Sequence, residues 1–285
     1  MKLVTFSFKD RPDALQVGVL TGDHVANLTD VGLNLDLLGI IAGGAPALMQ
    51  VRAALHKATL HPLASLQLHA PIRPGKVLCS GVNYRAHALE NPKAVMPTEP
   101  FFFAKLPSSI TGPEAGIVKS AMTDQLDYEV EFAVVIGQHL HRPSPDQVMP
   151  AIFGYTLLND VSARDVQFKD NQITLGKNFA GFAPIGPCIV TADAMPHPDR
   201  VALKSRLNGK LMQDGTTSDW LFSLPQLIGH LAQVMPLEPG DIVTTGTPAG
   251  VGLFRKPPVF MQPGDVIEIE AEGIGILRNQ ILAPA

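Results

Sequence analysis

The sequence predicts a strand-rich α+β protein built as two unequal units. Three observations carry that prediction. Short apolar runs recur along the chain, punctuated by 25 Gly and 25 Pro among 285 residues. Two C-terminal segments echo each other, Glu238-Pro239-Gly240-Asp241-Ile242-Val243 and Gln262-Pro263-Gly264-Asp265-Val266-Ile267. Each sets Pro then Gly where a type II turn needs a fixed φ followed by a positive one, and each turn launches an apolar strand. That is the pattern of a barrel or sandwich, not of strands alternating with helices. Finally, 46% hydrophobic against 17% charged residues supplies a sizeable core, and the length suits roughly two units.

Residues 1–70 read as a small N-terminal domain. Lys2–Phe6, Gln16–Leu20 and His24–Leu28 are short strands, separated by Asp/Pro and Thr-Gly-Asp turns. A helical stretch from about Ala45 to His56 follows, with Leu48, Val51, Ala54 and Leu55 at helical spacing. Pro71-Ile72-Arg73-Pro74-Gly75 breaks the pattern and opens a second unit, residues 71–285. There the clearest helix is Leu224–Met235. Leu224, Leu227, Ile228, Leu231, Val234 and Met235 form one stripe, Ser223 is the N-cap, and Pro225 is tolerated in the first turn.

Charge and cysteine usage exclude several partner classes. Subtracting 26 Asp+Glu from 22 Lys+Arg leaves −4, with no basic block to displace counterions from phosphates, so no nucleic-acid partner is expected. Leu37–Val51, the longest uncharged stretch of note, contains Gly-Gly-Ala-Pro and falls short of a membrane span. Lys9, Asp10 and Arg11 interrupt the position of a secretory apolar region. Cys79 and Cys188 lie far apart in apolar surroundings and read as buried free thiols. The expectation is a cytoplasmic protein with no membrane partner.

The segment Leu126-Asp127-Tyr128-Glu129-Val130-Glu131-Phe132-Ala133-Val134-Val135-Ile136-Gly137 carries the first chemistry. On a strand, Glu129 and Glu131 share a face at roughly 7 Å between Cα atoms. Like charges beside a buried strand raise each other's pKa unless a cation compensates. Oxygen donors without Cys or clustered His favour Mg²⁺, Mn²⁺ or Ca²⁺ over zinc; the plainer alternative is a surface-facing pair at a strand edge. Asp160 ends another strand, Gly154–Asn159, and stands either as a third ligand or as a turn residue. Ser162-Ala163-Arg164-Asp165 resembles a capping box that starts a helix.

Lys177 sits alone in an otherwise uncharged stretch, Gly176 to Pro187. A buried ammonium needs an anion, which a substrate enolate or carboxylate can supply, unless the side chain simply snorkels at a loop edge. Asn83 reads as the N-cap of a short helix that sets His87 and Glu90 at i, i+3, the arrangement of a general base held by a carboxylate or of an ordinary exposed pair. Thr245-Gly246-Thr247-Pro248-Ala249-Gly250-Val251-Gly252 lacks the P-loop and dinucleotide fingerprints, but offers backbone N–H groups and the Thr247 hydroxyl to an anion.

Four motifs then occur in order. They are Gly81-Val82-Asn83-Tyr84-Arg85-Ala86-His87, Tyr128-Glu129-Val130-Glu131, Asn159-Asp160-Val161-Ser162-Ala163-Arg164-Asp165-Val166-Gln167 and Gly246-Thr247-Pro248-Ala249-Gly250-Val251-Gly252. From about Lys76 onward the chain resembles the fumarylacetoacetate hydrolase family, and the N-terminal unit is similar to the extra domain of many bacterial members. The resemblance implies a mixed β-sandwich roll and a homodimer. It implies Mg²⁺ or Mn²⁺ held by Glu129, Glu131 and Asp160, with a small 2-oxo acid as substrate. Lys177 matches the lysine that holds substrate and enolate, His87 and Glu90 the water-activating dyad, and Gln167 and Thr247 substrate-contacting positions. Arg164 lies in the same motif as a further substrate-binding candidate. One departure is Ala180, where many bacterial members carry a polar residue three positions after the lysine.

The preferred expectation is metal-assisted hydrolytic C–C cleavage of an acylpyruvate-type acid, releasing pyruvate. His87, oriented by Glu90, would take a proton from water, and Lys177 and the cation would stabilise the pyruvate enolate. The alternatives are decarboxylation of oxaloacetate or another β-keto acid, and hydratase or isomerase action on a 2-hydroxy-dienoate of aromatic catabolism.

Overall fold

Strand Val130–Ile136 organises the molecule and is buried at every position. Phe132, Val134 and Ile136 enter one apolar cluster, while Ala133 and Val135 enter another on the opposite face. A strand covered on both faces has no polar side to show, which is why its sequence reads as a continuous apolar run. The computed structural model describes residues 1–91, 95–169 and 173–284.

This strand lies inside a mixed sheet of twelve strands. On one side it pairs antiparallel with Ile152–Asn159, which pairs antiparallel with Ala183–Thr191. Lys2 and Leu3 pair with Val190 and Ile189, and the ladder then runs outward through Lys2–Phe8, Arg11–Thr21, His24–Asn27 and Thr59–Pro62. Residues 1–70 thus extend the main sheet through a short ladder. On the other side come Ile242–Thr244, then Val77–Ser80 in parallel, then Phe102–Lys105.

A second sheet orders Lys210–Thr216, Ala202–Leu207, Val266–Ala271, Gly275–Leu282 and Ile117–Val118. Its Leu203, Ile267, Ile269 and Leu277 share a cluster with Phe132, Val134, Tyr155 and Leu157 of the large sheet, the core of a sandwich. Both echoed turns form as expected, with φ of 88° at Gly240 and 95° at Gly264. Helix Leu224–Val234 starts at Ser223, which forms a capping box with Gln226.

The first long helix departs from its predicted limits. It spans Leu37–Leu55, not Ala45–His56, because the Asp36 side chain accepts from Gly39 N–H at 2.7 Å and starts it early. Gly44, at φ 55° and ψ −139°, breaks it, and Pro46 follows where a restarting helix needs no N–H. By length and composition alone this helix passes as a membrane span. In the fold, Leu37, Ile40, Ile41, Ala47 and Val51 are buried in the second apolar cluster.

Both cysteines are free and buried. Burial, and then the carboxylates of Asp160 and Glu131, push the Cys79 thiol up; burial pushes Cys188 up to about 12. Since the thiolate is the nucleophile, iodoacetamide at about pH 8 is expected to leave both unmodified in the folded protein. Mass spectrometry showing alkylation at the rate of an unfolded control would contradict this.

Candidate active site

Beside the N-terminal end of Val130–Ile136 the fold buries seven ionisable side chains: Asp127, Glu129, Glu131, Asp160, Lys105, Arg164 and Lys177. They are held by pairing. Lys177 Nζ donates to Glu129 Oε2 at 2.9 Å and to Asp160 Oδ2 at 2.6 Å, with its ammonium 5.0 Å from the centre of the Phe103 ring. Arg164 donates through Nη2 to Glu129 Oε1, through Nε to Asp127 Oδ2 at 2.9 Å, and through Nη1 to Gln167 Oε1 at 3.1 Å. Burial opposes the Glu129 charge, yet Arg164 and Lys177 hold its carboxyl well below the usual range. Burial likewise opposes the Lys177 charge, while Asp160 and Glu129 keep its pKa raised.

Lys105 has three N–H donors and gives them to three carbonyls, Val161 at 3.2 Å, Lys177 at 2.6 Å and Phe182 at 2.7 Å. Its ammonium lies 2.8 Å from Asp160 Oδ1. With the donors committed elsewhere, that oxygen gains an ion pair but no hydrogen bond. Glu131 fares worse: its Oε2 is buried with no hydrogen-bond partner, and no cation among the described residues pairs with it. Burial, then Asp160 and Glu129, push its pKa up.

Four carboxylates therefore face three cations, and the acid left over is Glu131. One oxygen from each of Glu129, Glu131 and Asp160 lies within 4.8 Å of the others. An all-oxygen donor set with an uncompensated charge fits a hard divalent cation such as Mg²⁺ or Mn²⁺.

These groups meet a cavity of about 190 Å³, below the 300 Å³ or so of drug-sized sites and suited to a small acid. Seven of the nine predicted site residues line it: His87, Glu129, Glu131, Arg164, Gln167, Lys177 and Thr247. Glu90 and Asp160 stand behind His87 and Lys177. Val82, Phe101, Phe103, Phe168, Leu253 and Phe254 supply the apolar wall. A larger cavity, about 660 Å³, lies between the N-terminal strands and the 110–115 segment, away from the carboxylates.

His87 sits on the short helix Arg85–Ala88, and its Nδ1 lies 2.6 Å from Glu90 Oε2. A carboxylate on Nδ1–H leaves Nε2 as the basic nitrogen. Glu90 Oε1 in turn accepts from Gly250 N–H at 2.8 Å.

Three local expectations are corrected. Asn83 does not cap this helix; its buried amide donates to Phe222 O and Thr245 O and accepts from Phe222 N–H, joining two loops. Ser162-Ala163-Arg164-Asp165 is not a capping box. Ser162 lies in a strand and bonds to Asp160 O, while Asp165 accepts from Thr123 Oγ1 and Asp124 N–H. The 245–252 loop commits part of its donors within the protein: Thr245, Gly250 and Gly252 N–H go to Phe132 O, Glu90 and Asp127, while the Thr247 hydroxyl donates to Val130 O at 2.9 Å and accepts from Gln213 Nε2 at 2.7 Å. What the Thr247 side chain offers a ligand is therefore an oxygen lone pair.

Ala180 is exposed and absent from the cavity wall. Sequence reasoning missed Asp127 and Lys105 as site residues. The argument used for Lys177, a lone ammonium in an apolar run, would have found Lys105 after Phe101-Phe102-Phe103-Ala104.

The fold and the cluster define a class: mixed-sheet sandwich proteins with a buried acidic site able to hold a divalent cation. Residues 76–282 match the fumarylacetoacetate (FAA) hydrolase C-terminal family, and the chain belongs to the fumarylacetoacetate hydrolase family, whose members are enzymes. A rat protein named an oxaloacetate tautomerase is 38% identical over 288 residues, covering 99% of this chain and 92% of the relative. A Bacillus subtilis oxaloacetate tautomerase is 44% identical over 227 residues, 78% of this chain and 75% of the relative. The solved structure of a fumarylacetoacetate hydrolase from Exiguobacterium antarcticum is 38% identical, with a TM-score of 0.89 over the whole of both chains.

Proposed function

We propose that this chain is a divalent-metal-dependent enzyme that interconverts the keto and enol forms of a short 2-oxo acid, with oxaloacetate as the first substrate to test. The observation that carries the reading is Lys177, buried between Glu129 and Asp160 on the wall of the cavity that His87 also lines. Enolisation needs a base for the proton at C3 and positive charge at the oxygen on C2. The relatives named as oxaloacetate tautomerases support the same choice.

A divalent cation on Glu129, Glu131 and Asp160 would supply Lewis acidity toward the carboxylate and 2-oxo end of the substrate. His87 Nε2 takes the C3 proton, and the C–H electron pair becomes the C2–C3 double bond. As the carbonyl π pair moves onto the C2 oxygen, Lys177 faces the charge that grows there; that oxygen takes up a proton from water, and the His87 imidazolium returns its proton to water. The reverse sequence regenerates the keto acid, so atoms and electrons balance with no co-reactant. Gln167, whose Oε1 accepts from Arg164, lines the cavity as a candidate partner for the substrate. Phe101, Phe103, Phe168 and Phe254 give the cavity wall its apolar surface.

Hydrolytic cleavage of an acylpyruvate is the second reading, and the His87–Glu90 pair favours it, since the same base can activate water. The test follows the decay of enol oxaloacetate by ultraviolet absorbance, with acetylpyruvate cleavage assayed in parallel. Accelerated enol decay is expected, lost on EDTA treatment and restored by Mg²⁺ or Mn²⁺. Cleavage of acetylpyruvate with no acceleration of oxaloacetate tautomerisation would reverse the order of the two readings. Full activity after complete metal removal would sink both.

A further inference from the structure

Asp127 is fully buried and accepts four hydrogen bonds. Oδ1 takes Gly252 N–H at 2.7 Å and Tyr128 N–H at 2.8 Å. Oδ2 takes Leu253 N–H at 3.0 Å and Arg164 Nε at 2.9 Å. Two chains of contacts leave this carboxylate. One runs through Arg164 to Glu129 Oε1, an oxygen of the acidic triad. The other runs through the loop at Gly252 and Leu253, two residues from Gly250. Gly250 N–H holds Glu90 Oε1, and Glu90 Oε2 holds His87. Phe254, next in the loop, sets its ring 6.0 Å from that of His87. The loop also has no slack at Asp127: a Cβ on Gly252 would fall 2.6 Å from Asp127 Oδ1 and 1.9 Å from Val259 O.

We infer that Asp127 is a positioning residue that fixes the His87–Glu90 pair relative to the carboxylate triad, acting through Arg164 on one side and the Gly250–Phe254 loop on the other. It touches no substrate. A carboxylate suits the task because all four partners are donors and an ionised carboxylate is acceptor-only. In Asn, one acceptor becomes an NH₂ group, so an oxygen that took two donors now confronts them with a third. Partners that orient metal ligands in this way cost about 10- to 100-fold in metal affinity or activity when removed.

The test compares wild type, Asp127→Asn and His87→Asn. Mn²⁺ affinity is read by titration calorimetry, kcat and KM by the tautomerisation assay, and the folded fraction by thermal melting. For Asp127→Asn, Mn²⁺ affinity is expected to weaken about 10- to 100-fold and kcat to fall by a similar factor, with KM changing less than about threefold. His87→Asn should lose turnover while keeping Mn²⁺ affinity. Values for Asp127→Asn within twofold of wild type, or losses no larger than the drop in folded fraction, would overturn the proposal.

A measurement on wild type alone covers the case in which Asp127→Asn does not fold. Coupling between sites is reciprocal, so Mn²⁺ should slow hydrogen exchange at the amides of Gly250, Gly252 and Leu253, none of which is a predicted ligand. Exchange there unchanged by saturating Mn²⁺ would also overturn it. Only the turnover arm rests on the proposed reaction. If wild type fails to accelerate tautomerisation, that reading fails, while calorimetry and exchange still judge Asp127.

Discussion

Replacing Lys177 with Met is expected to cut turnover by about 10²- to 10³-fold, the loss seen when one preorganised donor to a developing oxyanion is removed. It should also lower unfolding free energy in metal-free buffer by about 3–5 kcal/mol, the usual cost of breaking a buried ion pair from one side. Met keeps the unbranched shape, so the change removes charge more than volume. Lys177 is 2% exposed, so solvent offers little relief. Without it, four buried carboxylates face only Arg164 and Lys105, and Lys105 has already given its three N–H donors to carbonyls.

The pH dependence of that loss follows from the two shifts. The raised Lys177 pKa means its contribution is full below the unfolded lysine value and fades only as pH rises through the folded one. The depressed Glu129 pKa means its contribution is present above the unfolded carboxylate value and is lost as pH falls through the folded one. Both are complete near neutrality, so the stability gap should be flat from about pH 6 to 9. Denaturant titrations across that range check it, together with kcat corrected for folded fraction. Turnover within threefold of wild type would remove Lys177 from the reaction. Lys177→Arg should not rescue, because a planar guanidinium does not reproduce a compact ammonium set over the Phe103 ring.

The acids were legible in the sequence because strand periodicity is a local property: Glu129 and Glu131 two apart beside an apolar run imply one face, and the structure places them together with Asp160. The strand-launching turns at Gly240 and Gly264 were legible for the same reason, since φ near +90° belongs to the residue itself. What stayed hidden depends on partners remote in sequence. Lys105 reaches Asp160 across 55 residues, and Asp127 reaches Gly252 across 125. No spacing rule announces such contacts.

The misread caps have the same origin. Asn83 and Asp165 are residue types with strong local uses, yet tertiary partners at Phe222, Thr245, Thr123 and Asp124 claim their side chains. The helix from Leu37 was mistimed because a glycine break splits its periodicity, so only its second half looked helical. For the site residues, then, legibility tracked how near in sequence the determining contact lay, while the Leu37 helix was missed for a local reason, the cap at Asp36 and the break at Gly44.

Replacing Glu131 with Gln should act in opposite directions on binding and on stability, which makes it the sharpest test of the metal assignment. Glu131 is 1% exposed, with a carboxylate oxygen lacking a partner and its charge opposed by burial, Asp160 and Glu129. Gln keeps the shape and removes the charge. In metal-free buffer near neutrality the variant should therefore be more stable than wild type, by about 1–3 kcal/mol, the usual desolvation cost of an unsatisfied buried group. The sign follows from linkage. A carboxyl with a raised folded pKa favours the folded state only while it can hold its proton, and wild type loses that advantage as pH rises through the folded value. The benefit of Gln should therefore shrink toward acid pH and be widest at neutral pH. Adding Mn²⁺ should cancel most of that lead or reverse it, because a ligand that binds only the folded state stabilises it by about 2.7 kcal/mol at a hundred times its Kd. The variant, with Mn²⁺ affinity down at least about 100-fold, the upper end of what losing an outer-shell partner costs, should gain almost none of that. Thermal melts with and without Mn²⁺ would show the gap between the two proteins closing or changing sign. If the variant binds Mn²⁺ as wild type does, Glu131 is not a ligand; if it is the less stable protein without metal, the carboxylate is a structural anchor and the unpaired charge is not what the cation relieves.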